Sequence, residues 1–271
     1  MDIRFALVGL VIGFLIGLTG MGGGSLMTPV MILVMGVKPV IAVGTDLAYS
    51  AVTKIVGAST HLHQGTVHRR TAFLLALGSV PASLLGVGLT SWLRRSEPNL
   101  VNGVLVHVIA LVLMLVAALM MTRPLLAHLA RRRRQSQVST GSSVNWRDDL
   151  YTFGDRHAWI LPLIGAITGF LVGLSSVGSG TLIIAGLLFL YPRWQSRELV
   201  GTDVFHAAML VSAASAAQLA AGNVNVPMAL SLLLGSVPGV LLGSRLAMGF
   251  PEHLLRVSLA GVLLISGAKM L

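Results

Sequence analysis

The sequence predicts an all-α polytopic membrane protein made of two similar halves. Of its 271 residues, 55% are hydrophobic and 10% are charged, whereas a soluble domain carries about 25% charged residues. Uncharged runs recur along the chain, and several reach the roughly 20 apolar residues that a membrane-crossing helix needs. Blocks of sequence from the first half also return in the second half at a constant spacing.

The composition excludes several classes of function. Charged residues are too sparse for the surface of a soluble enzyme, and with no cysteine there is no disulfide, thiolate metal site or cysteine nucleophile. The net charge of +10 does not indicate nucleic-acid binding, because the basic residues lie in connectors between apolar runs. We find no nucleotide-binding loop, serine triad or metal-ligand cluster, and therefore expect no cofactor, no metal and no enzymatic activity.

The first element is a broken helix. Residues 5–37 carry no charge and are centred on Gly20-Met21-Gly22-Gly23-Gly24. This run is too long for a signal-peptide core and for one straight span, yet its halves are too short for two spans. Glycine-rich backbone at membrane depth is tolerated only where protein buries it or where it lines a cavity. We expect two half-helices of about seven residues each, or two turns.

Three spans follow in the first half, near residues 39–62, 71–93 and 98–122, and Asp46 and Lys54 interrupt the first of them. Residues 123–156 then form a polar linker that includes Arg131 to Arg134. The positive-inside rule makes this linker cytoplasmic. The alternative for the arginine cluster is a regulatory site for anionic lipid.

The second half repeats this order. Residues 157–192 are uncharged and centred on Ser175-Ser176-Val177-Gly178-Ser179-Gly180, and spans follow near 198–220, 227–247 and 253–270. The predicted domains are therefore a first transmembrane repeat (1–122), the basic linker (123–156) and a second transmembrane repeat (157–271).

Aligned blocks support the duplication. The segment 13–19 matches 169–175 at an offset of 156, and the segments 43–46 and 78–81 match 200–203 and 235–238 at an offset of 157. If each broken segment re-enters its own side, 13 Lys and Arg lie on the linker's side and 5 opposite; if each segment crosses, the counts are 11 and 7. The first arrangement obeys the positive-inside rule better, makes the repeats inverted and places both termini outside.

Glycine-rich breaks predict an anion site. Gly22, Gly23 and Gly24 would expose backbone N–H groups before a half-helix that starts near Ser25, and Gly178 to Thr181 supply the matching element. A helix N-terminus carries about half a positive charge together with unsatisfied donors, which suits an anion. Close helix packing is the alternative explanation for these glycines.

Ionisable residues within spans predict charge or proton coupling. Asp46 and Asp203 occupy matching positions of the repeat, and they form either a proton or cation site or the first turn of helices capped by Thr45 and Thr202. Lys54 is expected to face a cavity or to balance Asp46 or a bound anion, with a snorkelling lysine as the alternative.

His206 follows Asp203 by three residues, one helical turn. At that spacing the imidazole and the carboxylate can hydrogen-bond and share a proton. We therefore include His206 among the predicted coupling residues.

The motifs together resemble the sulfite exporter TauE/SafE family. The resemblance rests on the glycine pattern from Gly13 to Gly24 with Pro29, on Val43-Gly44-Thr45-Asp46 and on His63-Gln64-Gly65-Thr66-Val67, and it covers nearly the whole chain outside the linker. It implies a permease of the cytoplasmic (inner) membrane for sulfite, sulfonates or related anions. The implied substrate-binding positions are Gly22, Gly23, Gly24, Ser25, Thr45, Gly178, Ser179, Gly180, Thr181 and Thr202.

The chain departs from the family pattern in a few places. Asp46 and Asp203 stand where many relatives have a small hydroxyl residue, Ser179 stands opposite Gly23, and Ala185 stands opposite Pro29. The expected function is a secondary transporter, an exporter of small sulfur-containing anions with ion coupling open. The alternatives are a passive anion channel and, less favoured, a membrane-embedded enzyme or assembly factor. The expected partners are the anionic substrate and membrane lipid, with no nucleic acid, and a homo-oligomer stays open.

Overall fold

The computed structural model describes residues 3–19, 24–138, 159–191, 194–246 and 252–271, and every regular element in these ranges is an α-helix. The fold class is therefore the one that the sequence predicts. The helices are α1 (Ile3–Thr19), α2 (Gly24–Leu33), α3 (Pro39–His63), α4 (Arg69–Ser96), α5 (Pro98–Val138), α6 (Ile160–Ser175), α7 (Ser179–Leu190), α8 (Ser196–Ala220), α9 (Val226–Leu246) and α10 (Glu252–Met270).

The second glycine-rich segment interrupts a helix as predicted, residues 20–23 between α1 and α2 lie outside the described residues, and the half-helices are longer than the sequence suggests. Helices α1 and α2 have 17 and 10 residues, and α6 and α7 have 16 and 12. The expectation of about seven residues is wrong, because an uncharged apolar run continues a helix up to the residues that break it. In the second half the break comprises only residues 176–178.

Five of the described helices are long and apolar enough to cross a membrane: Pro39–His63, Arg69–Ser96, Leu100–Thr122, Ser196–Ala220 and Val226–Gly243. They match five of the six predicted spans. The sixth, predicted near 253–270, corresponds to α10, of which the apolar part Val257–Met270 is shorter. The two broken segments supply three further short apolar helices, Ile3–Leu18, Ile160–Ser175 and Ser179–Leu190.

The predicted linker begins as helix. Helix α5 passes Thr122 and continues through the arginine cluster to Val138. Residues 123–138 of the predicted linker are therefore helical, because arginine, leucine and alanine all favour helix. The remainder of the predicted linker, residues 139–156, lies outside the described residues.

Two helix pairs rely on glycine for close contact. In the first pair, a Cβ on Gly9 of α1 would overlap the backbone of Leu232 in α9, and one on Gly13 would overlap Ser236. In the second pair, Gly165 and Gly169 of α6 lie in the same way against α4. Residue numbers increase together within each pair, so α1 runs parallel to α9 and α6 runs parallel to α4.

At the centre, α3 and α8 pack antiparallel. Gly44 near the start of α3 lies against Asn223, which follows α8, whereas Gly201 near the start of α8 lies against Thr66, which follows α3. The two contacts are related by the offset of 157 residues. Contacts in this fold therefore occur in pairs that a twofold axis perpendicular to α3 and α8 relates.

Helix directions determine the path of the broken segments. The Thr45 hydroxyl accepts the backbone N–H of Asn225 at 3.1 Å, and Tyr49 hydrogen-bonds Ser236, so α3 runs parallel to α9. Because α1 is also parallel to α9, α1 and α3 point the same way. The chain between them must return, and it does so along α2. The equivalent contacts give the same path for α6, α7 and α8.

Candidate functional site

A buried carboxylate joins three separate elements. Asp46 of α3 is 0% exposed. Its Oδ2 accepts hydrogen bonds from Thr28 Oγ1 of α2 at 2.5 Å and from Ser176 Oγ in the α6–α7 break at 2.9 Å. Its Oδ1 lies 3.4 Å from Ser50 Oγ, one turn further along α3. These hydrogen bonds satisfy polar oxygen atoms that would otherwise be costly to bury.

Neither acid belongs to a first helical turn. Helix α3 begins at Pro39 and α8 begins at Ser196, so Asp46 and Asp203 each lie about two turns inside. The capping interpretation is therefore wrong for both of them.

The break between α6 and α7 has an unusual backbone. Ser176 adopts the left-handed conformation with φ 60°, and Gly178 follows with φ 93°. Serine at positive φ is uncommon and costs conformational energy, so such residues often mark functional segments. The N–H of Ser176 bonds to Val172 O and ends α6, and α7 begins at Ser179. A helix C-terminus and a helix N-terminus thus meet within three residues.

Lys54 reaches the start of α7. Its side chain is 8% exposed, and its Nζ donates a hydrogen bond of 2.6 Å to Ser179 Oγ. The side chain is held in the interior, so the snorkelling interpretation does not describe it. Asp46 and Asp203 both lie close enough to Lys54 to interact with its charge. The ammonium group is therefore placed among the two acids and the N-terminal turn of α7.

The second acid lies on the other side of the same turn. Asp203 is 4% exposed, and a Cβ built on Gly180 would stand 3.1 Å from its Oδ2. Glycine at position 180 thus allows the carboxylate to approach the backbone of α7. The structure brings Gly178, Ser179 and Gly180 together with Asp203 and Lys54.

His206 hydrogen-bonds α4 instead of Asp203. Its Nε2 lies 2.7 Å from Ser79 Oγ, its exposure is 0%, and its Nδ1 has no hydrogen-bond partner among the described residues. The twofold-related contact joins Tyr49 to Ser236. The predicted hydrogen bond between His206 and Asp203 is therefore absent from the described contacts, because α4 packs against this face of α8 and offers a nearer hydroxyl.

Thr45 and Thr202 connect the two halves. Thr202 Oγ1 accepts the backbone N–H of His68 at 3.0 Å, which is the twofold equivalent of the bond from Asn225 to Thr45. Both threonines thus satisfy backbone donors just before α4 and α9. A hydroxyl that accepts one hydrogen bond can still donate another, so a role in substrate binding stays a prediction for both residues.

The remaining predicted residues are less completely described. Gly22 and Gly23 lie outside the described residues. Gly24 and Ser25 form the first turn of α2, and Thr181 is half-buried in the first turn of α7. Their backbone positions are those of half-helix N-termini, as the sequence predicts for α2 and α7.

Sequence reasoning missed three hydroxyl residues around Asp46. The contact of Ser50 could be predicted, because Ser50 follows Asp46 by four residues and therefore lies on the same face of the helix. The sequence places Ser176 in the second break but gives no sign that it contacts Asp46. Thr28 is 18 residues from Asp46 and Ser176 is 130 residues from it, so only the packing of the helices reveals these contacts.

The chemistry of this site follows from its charges. Lys54 and the N-terminus of α7 favour an anion, while two acids and several hydroxyl oxygens favour a proton or a cation. No group of three His, Asp or Glu side chains suited to a metal ion occurs in the part of the chain that the structure describes. The site can therefore hold charges of both signs side by side.

Comparison with known proteins gives one family. The family model described as Sulfite exporter TauE/SafE matches residues 5–270. The "Probable membrane transporter protein YjnA" of Bacillus subtilis (strain 168) is 36% identical over 271 residues, which cover 100% of both chains. "Probable membrane transporter protein YunE" of the same strain is 25% identical over 276 residues, covering 97% of this chain and 95% of the relative. A "Probable membrane transporter protein" of Xylella fastidiosa (strain Temecula1 / ATCC 700964) is 25% identical over 247 residues, 90% of this chain and 85% of the relative. No solved structure gives a significant match.

Proposed function

The chain belongs to the sulfite exporter TauE/SafE family, and from that premise we propose that it exports small sulfur-containing anions across the cytoplasmic membrane. It is a multi-pass membrane transporter. The proposed cargo is an organic or inorganic anion such as a sulfonate or sulfite, bound by its oxygen-bearing head. The proposed transport mechanism is secondary transport coupled to an ion.

The observation that carries this proposal is the contact between Lys54 and the start of α7. The ammonium group donates to the Ser179 hydroxyl, and that hydroxyl and the N–H groups of the first turn of α7 are available to donate to an anion at the same place. A sulfite or sulfonate head offers three acceptor oxygens, which match several preorganised donors. Lys54 also brings a basic group into a poorly solvated site, where electrostatic attraction to an anion is stronger than in water.

The second half-helix completes the proposed site. At the repeat offset of 156, residues 22–25 correspond in sequence to residues 178–181, which include the start of α7. The proposal is that the two N-termini face each other across the twofold axis and contact one substrate head. Thr45 and Thr202 remain proposed as outer hydroxyl donors.

The helix directions support an alternating-access mechanism. Antiparallel packing of α3 and α8, which are both long enough to cross a membrane, supports repeats of inverted topology. Transporters with such repeats bind substrate where broken helices meet and expose the site to each side in turn. We place both termini outside and residues 123–156 inside. Asp46, Lys54, Asp203 and His206 are the proposed coupling residues.

Binding to purified protein tests the proposed cargo. Methanesulfonate, sulfite and acetate are compared by calorimetric titration of the solubilised full chain. We expect methanesulfonate and sulfite to bind and acetate to bind much more weakly, because a planar carboxylate presents only two oxygens. Equal affinity for all three anions, or binding of none, would contradict the proposal.

Flux measurements separate a transporter from a passive channel. In proteoliposomes with a substrate gradient of zero, an imposed ion gradient should drive net methanesulfonate movement. Movement that only follows the substrate's own gradient under every ionic condition would indicate a channel.

A further inference from the structure

Around Asp46 the structure assembles a small oxygen cage that the proposed anion site does not use. We propose that Asp46, Thr28, Ser50 and Ser176 form a binding site for a sodium ion, and that this ion and the anion favour each other's binding. The mutual effect of sodium and anion deepens the proposed function and rests on it. The sodium site itself does not depend on the identity of the anion.

The number of oxygens distinguishes sodium from a proton. A proton site needs only one carboxylate, whereas a hard metal cation is held by several oxygen ligands. Here the side chains of Thr28 and Ser176 come from two other elements and converge on one oxygen of Asp46, and Ser50 approaches the second oxygen. Each hydroxyl has lone pairs that can turn toward a cation. A single acid with neutral oxygens suits a monovalent ion.

The end of α6 favours a cation at the same place. The last carbonyl groups of a helix lack partners within the helix and carry about half a negative charge. Ser176, which follows the end of α6, holds its positive φ of 60° there and directs its hydroxyl to Asp46. Interrupted helices in other transporters coordinate sodium through such unwound backbone.

The second half of the chain provides an internal comparison. The residues that correspond to Thr28, Ser50 and Ser176 at the repeat offsets are Ile184, Ala207 and Gly20. Asp203 therefore occupies the position in the second repeat that Asp46 occupies in the first, but none of the three corresponding residues carries a hydroxyl group. The three hydroxyl residues around Asp46 are therefore not a product of the duplication, which is consistent with a dedicated ion site in the first half.

The location explains how sodium would favour the anion. Ser176 touches the proposed sodium site and Ser179 touches Lys54, and only three residues separate them. A sodium ion neutralises Asp46 and orders the α6–α7 connection. An anion beside Ser179 then meets Lys54 and a fixed helix N-terminus without the opposing charge of Asp46. Each ligand therefore raises the affinity for the other, and the effect is reciprocal.

Thermal unfolding tests the sodium site without any sulfur anion. The solubilised full chain is titrated with NaCl, with KCl and N-methylglucamine chloride as references at constant ionic strength and pH. We expect sodium alone to raise the melting temperature. Ser176→Gly and Ser50→Ala should raise the half-saturating sodium concentration about tenfold, as for a loss of about 1.4 kcal/mol.

These variants are chosen to preserve the fold. Glycine accepts a positive φ more readily than serine, and both replacements are residues that the other half already carries. Ser231→Ala, a buried serine of α9 whose hydroxyl bonds Pro227 O at 2.9 Å, is the matched control and should respond to sodium as the wild type does.

The outcomes separate this inference from the proposed function. Equal stabilisation by sodium and potassium, or an unchanged sodium response in both Ser176→Gly and Ser50→Ala, overturns the sodium site. Methanesulfonate affinity that depends on pH but not on sodium also overturns it and leaves the transporter proposal intact. Specific sodium stabilisation that the two variants weaken supports the site even when no sulfur anion binds, and in that case the proposed cargo is wrong.

Discussion

Replacement of Lys54 by methionine tests the charge at the proposed anion site. Methionine keeps an unbranched side chain of similar length but cannot donate to Ser179 or attract an anion. Lys54 is buried and its Nζ lies 2.6 Å from Ser179 Oγ, at the first residue of α7. The variant therefore removes a positive charge and one donor from the place where the head of the substrate is proposed to bind.

The expected effect on binding is large, while the expected effect on insertion has the opposite sign. A hydrogen bond to a charged group contributes about 1.5–3 kcal/mol, so the affinity for methanesulfonate should fall about 10- to 100-fold. A lysine at the centre of a membrane span costs about 2.5–3.5 kcal/mol on insertion scales. The methionine variant should therefore enter the membrane at least as well as the wild type.

The assay measures both quantities in the same preparations. Calorimetric titration with methanesulfonate gives the affinity, and quantitative fluorescence of a tagged chain gives the amount in the membrane. Lys38→Met, at the exposed residue before α3, is the matched control and should leave both values unchanged. Wild-type affinity in Lys54→Met would refute the reasoning, because it would show that the buried charge is not part of the anion site.

Three further predictions follow from the geometry. Gly180→Ala should lower methanesulfonate affinity several-fold, because its Cβ would stand 3.1 Å from a buried carboxylate oxygen; Gly88→Ala, whose Cβ meets nothing within 4 Å, should not, and titration of both variants decides. A cysteine at residue 139 should stay protected from an impermeant thiol reagent in intact cells and one at residue 4 should react, whereas the reverse pattern would invert the topology. Thr202→Val should lower the free energy of unfolding by about 1 kcal/mol through the lost bond to a backbone N–H, as measured by thermal denaturation, and a fall in substrate affinity alone would instead indicate a binding role.

Local sequence is enough to determine which segments become helices. The length of an apolar run fixes how many spans it can hold, since each helical residue advances the chain by about 1.5 Å. Asp46 and Lys54 were recognisable as exceptional for the same reason, because a charge inside an apolar run is costly unless it has partners. The sequence also predicts the duplication, because detecting it requires only an alignment of the two halves of the chain.

The residues at which helices end are harder to predict from the sequence. Helix α5 continues past its apolar span to Val138, and α1 reaches 17 residues before its break. Hydropathy reports where a helix can enter the membrane, whereas backbone hydrogen bonds and intrinsic propensity determine where it stops. The two signals coincide only when a helix ends at the membrane surface.

Partners of the ionisable residues were decided by tertiary structure alone. The sequence by itself predicts that two acids and one lysine lie within apolar spans, and the structure buries all three. The sequence did not determine that Thr28 and Ser176 donate to Asp46, that Lys54 meets Ser179, or that His206 turns to Ser79. The physical reason is distance along the chain: these contacts join residues 18 to 130 positions apart. They form only when the helices pack and bring α2, α4 and the α6–α7 break beside α3 and α8.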